Sequence, residues 1–377
     1  MILGIDASNI RRGGGVTHLI ELLNAFELTE AGFSEIIVWS SNATLQKVSE
    51  RIEIKKRWHP WLERSLPFRI LWQYFILSKS AKRENCKILF VPGGTFCGNF
   101  KPFVTMSQNL LPFEMKELSR YGFSWLALKF WLLRFTQRAT FRKANGVIFL
   151  TKYAQEAVQE VTGRLKGQTT VIPHGIPERF QVPSEFRKKQ NDFLQNRFNV
   201  LYVSIIDVYK HQWNVAKAVA SLQKKGLNVN VQFVGPAYQP SLRKLNHVIK
   251  EEDPGGNFIR YEGVISYEEL DKKYKEADMF VFASSCENLP IILLEAMASA
   301  LPIACSKKGP MPEVLGNAGL YFEPESPETI AEAIEAYLIS SQLRKEKAEM
   351  SYQKALAYSW KHCTAQTMNF LIGISTQ

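Results

Sequence analysis

The sequence predicts an α/β protein built from two similar halves, and three observations carry that prediction. Short β-type runs rich in Val, Ile and Phe alternate with amphipathic helical stretches from one end of the chain to the other. At 377 residues the chain is too long for one ordinary core and suits two domains. A polar, charged stretch at residues 181–197 then divides the alternation near its middle.

The elements follow in order. A strand at residues 2–6 leads through Asp6-Ala7-Ser8-Asn9-Ile10-Arg11-Arg12-Gly13-Gly14-Gly15 into a helical pattern of Leu19, Ile20, Leu22, Leu23 and Phe26. Strand, glycine loop and helix in that order can cradle an anion, because glycine lets the backbone approach and the helix start offers free N–H groups. The glycine spacing is neither that of a dinucleotide fingerprint nor that of a Walker loop, so a flexible loop remains an alternative. Further strands are expected at residues 36–39, 87–91, 103–106, 146–151 and 170–176. The second half opens with a strand at 199–203, followed by a helix at 214–224 and strands at 229–234, 257–261, 279–282 and 302–305. Ser326-Pro327-Glu328 has the residues of a helix N-terminus, and residues 340–374 read as a helical tail.

Composition sets limits on function. No run of eighteen apolar, uncharged residues occurs, and the start enters a strand without the basic region of a signal peptide, so a cytoplasmic protein is expected. The five cysteines, Cys86, Cys97, Cys286, Cys305 and Cys363, show no paired spacing of a zinc or redox motif. The net charge of +11 leaves nucleic acid, an anionic membrane face and a phosphorylated substrate as partners. Residues 58–83 and 121–143 interleave aromatic and basic residues, and the second stretch has no acid. That pattern suits docking of amphipathic helices at an anionic membrane surface, with a core role for the aromatics as the alternative. Nucleic acid is set aside because no reader motif accompanies the charge.

The stretch 281–302 concentrates the chemistry. Glu287 falls in the loop expected after a strand, Pro290 at the expected first helical position, and Glu295 about one and a half turns into the helix. The carboxyl end of a strand in an open α/β sheet is where ligands bind. Two acids there suit a ligand with several hydroxyls, since a carboxylate can accept two charge-assisted bonds from a vicinal diol. A solvated loop acid and a helix-surface acid are the plainer reading. Cys286 has no histidine nearby in sequence and is not expected to be a nucleophile.

Glu287, then Glu295-Ala296-Met297-Ala298, with Ser284 before and Leu301-Pro302-Ile303 after, resembles the nucleotide-sugar signature of the retaining glycosyltransferases of family 4. Gly13-Gly14-Gly15, Pro173-His174-Gly175, Lys210, Tyr261-Glu262-Gly263, Ala277-Asp278 and Pro312-Glu313-Val314 stand in that family's order. The resemblance implies a GT-B architecture, two Rossmann-like domains facing across a cleft. It places an acceptor domain at residues 1–180, a linker at 181–197, a nucleotide-sugar domain at 198–355 and a helix at 356–377 crossing back to the first domain. It further implies that Glu295 holds the donor ribose and Glu287 sits by the transferred sugar. The backbone of Asn288 and Leu289 approaches sugar or diphosphate, Lys210 neutralises the leaving diphosphate, and Gly14 and Gly15 give it room. No metal or other cofactor is expected.

The chain departs from the family pattern at four places. Ile205 stands where an Arg is common, leaving Lys210 to carry more of the phosphate charge with help from His211. Asn288-Leu289-Pro290 replaces a glycine-aromatic-glycine run. Ser107, Gln108 and Asn109 occupy the place of a sugar-contacting His, making Asn109 a candidate sugar or acceptor contact; His174, where Asn is usual, is a second candidate or packs at the hinge. The expected activity is transfer of a sugar from a nucleotide-sugar donor to a lipid-linked or cell-surface polysaccharide acceptor at the inner membrane face. A sugar-nucleotide epimerase or hydrolase of the same fold, and a non-catalytic nucleotide-sugar-binding scaffold, are the competing readings.

Overall fold

The computed structural model describes residues 1–11, 13–27, 32–183 and 197–376; most of the expected linker therefore lies outside the described residues. The chain forms two compact units. The first comprises residues 1–118, 122–175 and 359–377, and the second residues 119–121 and 176–358.

Each unit is organised on one parallel sheet. The first holds β1 (Ile2–Asp6), β2 (Glu35–Trp39), β3 (Ile54–Arg57), β4 (Cys86–Val91), β5 (Phe103–Met106), β6 (Gly146–Phe149) and β7 (Gln168–Val171), in the order β3-β2-β1-β4-β5-β6-β7. The second holds β8 (Phe198–Val203), β9 (Val229–Val234), β10 (Ile259–Gly263), β11 (Met279–Phe282), β12 (Ile303–Ser306) and β13 (Leu320–Phe322), in the order β10-β9-β8-β11-β12-β13. Central strands such as β6 and β11 are buried along their whole length. Their continuous apolar runs are what a strand covered on both faces requires.

The strand order reverses between β1 and β4 in the first unit and between β8 and β11 in the second. Such a reversal parts the loops at the carboxyl ends of the two strands and opens a crevice, the usual ligand position in an open α/β sheet.

Two strands were not expected from the sequence. Ile54-Lys55-Lys56-Arg57 forms β3, an edge strand with only Ile54 buried, and Leu320-Tyr321-Phe322 forms the short edge strand β13. Residues 58–83 are not one amphipathic helix. They break into helices Pro60–Glu63 and Leu66–Trp72, a π-helical turn Gln73–Leu77 and helix Ser78–Arg83. Pro290 is the N-cap, outside the helix that runs Ile291–Ala298.

The first unit ends earlier than residue 180 because the next residues pack elsewhere. The Ile176 N–H donates to the Tyr358 carbonyl at 3.0 Å, and the Phe180 ring lies 5.7 Å from that of Tyr274. The tail divides into helices Ser341–Ala355 and Trp360–Ser375. The latter belongs to the first unit, where Thr364 Oγ1 donates to the Leu22 carbonyl at 3.4 Å.

The turn after β9 sets the course of the loop after β8. Gly235 has φ +137°, and a Cβ placed there would come within 2.2 Å of the Ser204 carbonyl oxygen. Gly235→Ala should therefore cost about 3 kcal/mol, through a backbone region closed to L-residues and a clash with backbone. In urea unfolding the midpoint is expected to fall with an unchanged slope.

Candidate functional site

Lys210 and Glu287 meet where the second sheet reverses. Lys210 stands in the loop after β8 and Glu287 in the loop after β11, and the Lys210 Nζ donates to Glu287 Oε1 in a direct ion pair. Lys210 is only 4% exposed. Its ammonium also lies 5.0 Å from the Phe282 ring and 5.1 Å from that of Tyr209, close enough for cation–π attraction. Tyr202 of β8 braces its own following loop, its Oη donating to the Lys210 carbonyl at 2.5 Å, and the Ser285 N–H fastens the two loops together by donating to the Tyr209 carbonyl at 2.8 Å. Asn288 and Leu289 follow, both buried, and lead through Pro290 into the next helix.

His211, next to Lys210, is buried in a left-handed conformation with φ 52°, and its Nε2 is 2.9 Å from Ser285 Oγ.

Glu295, on helix Ile291–Ala298, is 2% exposed. Tyr274 Oη donates to its Oε2 at 3.0 Å, and Tyr267 Oη reaches its Oε1 at 3.5 Å, the long limit of a hydrogen bond. The Arg179 guanidinium stacks on Tyr267, 3.8 Å from the ring centroid. Burial pushes the Glu295 carboxyl up to about 7, only partly offset by the Tyr274 hydrogen bond, the Arg179 charge and Tyr267. Tyr267, Tyr274 and Arg179 were not singled out from the sequence, where an aromatic on a helical stretch reads as core. Only the contact itself marks them.

The remaining candidates lie in the first unit. Gly14 and Gly15 open the helix Gly14–Asn24, whose N-cap Gly13 has φ 68°. Asn109 follows β5, and its Oδ1 accepts the Leu111 N–H at 3.1 Å, so it braces its own loop. At the reversal between β1 and β4, Gln73 of the π-helical turn donates to Asp6 Oδ2 at 2.6 Å, and Arg69 donates to the Ser8 carbonyl at 3.2 Å. His174 is buried, its ring 4.4 Å from that of His18 and 5.6 Å from that of Trp360. That setting packs His174 inside the first unit, as the hinge alternative expected. Burial holds His174 well below the usual range and His18 at about 4, so both are neutral at pH 7.

The first unit also exposes an apolar stripe. On helix Trp125–Lys143, Trp125, Leu128, Trp131, Leu132 and Phe135 are exposed, while Gln137, Thr140 and Phe141 are buried. Tyr74 and Phe75 are exposed on the π-helical turn. Both elements flank one loop: the Phe96 N–H donates to Thr140 Oγ1 at 3.0 Å and the Cys97 N–H to Gln73 Oε1 at 3.2 Å.

Two family models match the chain. The model of glycosyltransferase family 4 covers residues 12–180, and that of the glycosyl transferases group 1 covers residues 183–354. The chain belongs to this glycosyltransferase family.

Relatives of this glycosyltransferase include an O-antigen chain mannosyltransferase B of Escherichia coli, 35% identical over 30% of the chain and 29% of the relative. A sulfoquinovosyl transferase of Arabidopsis thaliana is 24% identical over 67% of the chain and 48% of its own length. A D-inositol 3-phosphate glycosyltransferase of Paenarthrobacter aurescens is 24% identical over 52% and 50% respectively. The matched stretches thus span half or less of each of these curated relatives. Among solved structures, a sucrose-phosphate synthase of Thermosynechococcus elongatus superposes with a TM-score of 0.77 at 17% identity, covering 100% of this chain and 99% of that one. Anabaena HepE in complex with UDP and glucose gives 0.70 at 17% identity, covering 99% and 100%. At those identities the likeness is one of fold, and the fold is GT-B.

The raised Glu295 gives the glycosyltransferase a definite pH dependence. A carboxyl at about 7 when folded and 4.5 when unfolded makes the native state bind the extra proton between those values. Its contribution is complete below pH 4.5 and is lost as pH rises through about 7, roughly 3 kcal/mol in all. In urea titrations across that window Glu295→Gln should lose this part of the slope, the remaining groups being common to both proteins. Parallel pH profiles would contradict the assignment.

Proposed function

We propose that this glycosyltransferase moves a sugar, with retention, from a nucleotide-sugar donor to a lipid-linked or cell-surface polysaccharide acceptor. The observation that carries the reading is the Lys210–Glu287 pair at the strand reversal of the second sheet, with Glu295 on the helix that follows. Glycosyl transfer breaks the anomeric bond and leaves charge on a diphosphate. A pre-positioned ammonium stabilises that charge as it develops, without reorganisation. Lys210 has this role and Glu287 orients it, while the second Glu287 oxygen receives a sugar hydroxyl.

Glu295 takes the ribose. Tyr267 holds Oε1 only at the long limit, so a ribose diol can displace it while Tyr274 keeps Oε2. The backbone of Asn288 and Leu289 approaches the sugar or diphosphate. For Gly14 and Gly15 we keep the role open to a glycine-rich helix start, N–H groups turned to a phosphate. Retention proceeds by attack on the face the diphosphate leaves, that phosphate accepting the acceptor's proton; no metal is assigned to the transfer. Solved complexes of HepE with UDP-glucose, and curated relatives named for mannosyl and sulfoquinovosyl transfer, support a nucleotide-sugar donor.

Donor consumption with and without membrane lipid extract tests the reading. Turnover dependent on the extract supports a lipid-linked acceptor; turnover without it points to hydrolysis or epimerisation, and binding without turnover to a scaffold. A thermal-shift panel of UDP-, GDP- and dTDP-sugars identifies the base. Lys210→Ala should lower kcat about 100- to 1,000-fold with a smaller change in donor affinity. Glu295→Ala should raise the donor Kd at least tenfold, and an unchanged Kd would remove Glu295 from the site.

The exposed aromatic stripe and its bases support docking at an anionic membrane face. Lys129, Arg134, Arg138, Arg142 and Lys143 lie on the same helix as the stripe, which has no acid. No described helix is long and apolar enough to cross a membrane, so contact is proposed at the surface. Co-sedimentation with phosphatidylglycerol vesicles should fall steeply with salt and should drop in a Trp131→Ser, Phe135→Ser variant. Binding indifferent to lipid charge and salt would refute the docking.

A further inference from the structure

Four buried polar atoms without a hydrogen-bond partner among the described residues belong to three neighbouring residues of the first unit. They are both ring nitrogens of His18, Nδ1 of His174 and Nε1 of Trp360, whose rings lie 4.4 to 5.8 Å apart. An isolated buried polar group costs on the order of 1–3 kcal/mol when nothing satisfies it. Four so close together point to a bound species. The side chains show which kind. His18, His174 and Cys363 are all buried, and their ligand atoms lie within 4.8 Å of one another.

We infer that His18, His174 and Cys363 form a buried site for a transition-metal dication of borderline softness, of which zinc is the representative. Two imidazole nitrogens and one thiolate are the donors such an ion selects, at about 2.0–2.1 Å for nitrogen and about 2.3 Å for sulfur. Tetrahedral placement at those lengths puts donors about 3.5 Å apart, so the widest of the three gaps closes by about 1 Å through side-chain torsions. Three protein ligands leave the fourth position to a water. The Trp360 indole N–H cannot serve as a zinc ligand but can hydrogen-bond that water, while the Thr367 hydroxyl hydrogen-bonds the Cys363 sulfur and supports it as a ligand. The Cys363 thiol gives up its proton to solvent as the thiolate binds, so affinity rises with pH.

Placement in the chain assigns the site a structural role. His18 comes from helix Gly14–Asn24, His174 from the segment after β7, and Cys363 from helix Trp360–Ser375. The ion joins three segments remote in sequence and pins the returning helix to the first unit. None of the three ligands belongs to the residues assigned to donor binding in the second unit, so the site stands or falls independently of the transfer reaction.

Tag-free full-length protein, stripped by chelator and dialysed against zinc or cobalt, tests the inference. Metal analysis should find one ion per chain, and the cobalt form should show a thiolate-to-cobalt charge-transfer band with the intense visible bands of a four-coordinate ion. Cys363→Ser should abolish the charge-transfer band and Cys305→Ser retain it, while His174→Asn should weaken zinc at least tenfold with an unchanged far-ultraviolet circular dichroism spectrum. Zinc should raise the Tm of the wild type and not that of Cys363→Ser. Metal content no higher than a buffer blank in the wild type, a result that needs no variant to fold, would overturn the site and leave ordered water as the bound species. A charge-transfer band surviving Cys363→Ser would overturn it equally.

Discussion

Lys210 and Glu287 are 77 residues apart in sequence, yet each is withdrawn from water against the other. Taking two charges out of water costs several kcal/mol each, and their attraction offsets this only when the geometry is good and the remaining donors are engaged. The second unit meets that condition through its sheet. β8 and β11 are hydrogen-bonded neighbours, their following loops diverge at the reversal, the Tyr202 hydroxyl braces the first loop and the Ser285 N–H ties the second to it. Without the parallel pairing the two charges would not meet. With it, the ammonium is already desolvated and held in place, which is the preorganisation on which the role proposed for Lys210 rests.

The two glutamates differ in environment more than in position. Glu287 touches a cation, whereas Glu295 touches two phenols, with the one nearby guanidinium spread over the Tyr267 ring instead of hydrogen-bonded to the carboxylate. Burial without a contacting cation therefore leaves Glu295 balanced between its protonated and ionised forms near neutrality. In the proposed ribose contact, a diol that donates to this carboxyl would favour the ionised form. Identical residues are thus assigned different tasks by the helix and loop that carry them.

Much of this was legible in the sequence. The apolar runs of β1, β6 and β11 and the capped start at Ser326 follow directly from composition and spacing. The edge strands did not show, because Lys55, Lys56 and Arg57 carry no apolar alternation and β13 is only three residues long; their strand character comes from the neighbour they pair with. Glu287 and Glu295 could be picked out by residue type and spacing and Lys210 by the family resemblance, and the structure joins Glu287 to Lys210 directly. Tyr267, Tyr274 and Arg179 could not, since their significance is a contact made across separate elements. The surroundings of His211 and His174 were not legible for a related reason: Ser285 and the His18 ring, which contact them, come from separate segments of the chain.

Helix Trp125–Lys143 turns the usual rule inside out, with Gln137 and Thr140 inward and Trp125, Trp131 and Leu132 outward. The inward polar residues have work to do. Thr140 accepts the Phe96 N–H, and the Gln137 side chain closes on Gly94, where a Cβ would stand 2.8 Å from Nε2. This loop follows β4 and cannot complete its backbone bonds within the sheet, so the helix must approach it with polar groups. That requirement fixes the helix rotation and leaves the opposite face unconstrained by the core. An unconstrained face of a water-exposed helix would be expected to carry Glu and Lys; this one carries Trp, Leu and Phe with bases alone. Core packing does not account for such a face, and it is this face that the proposed docking at an anionic surface uses.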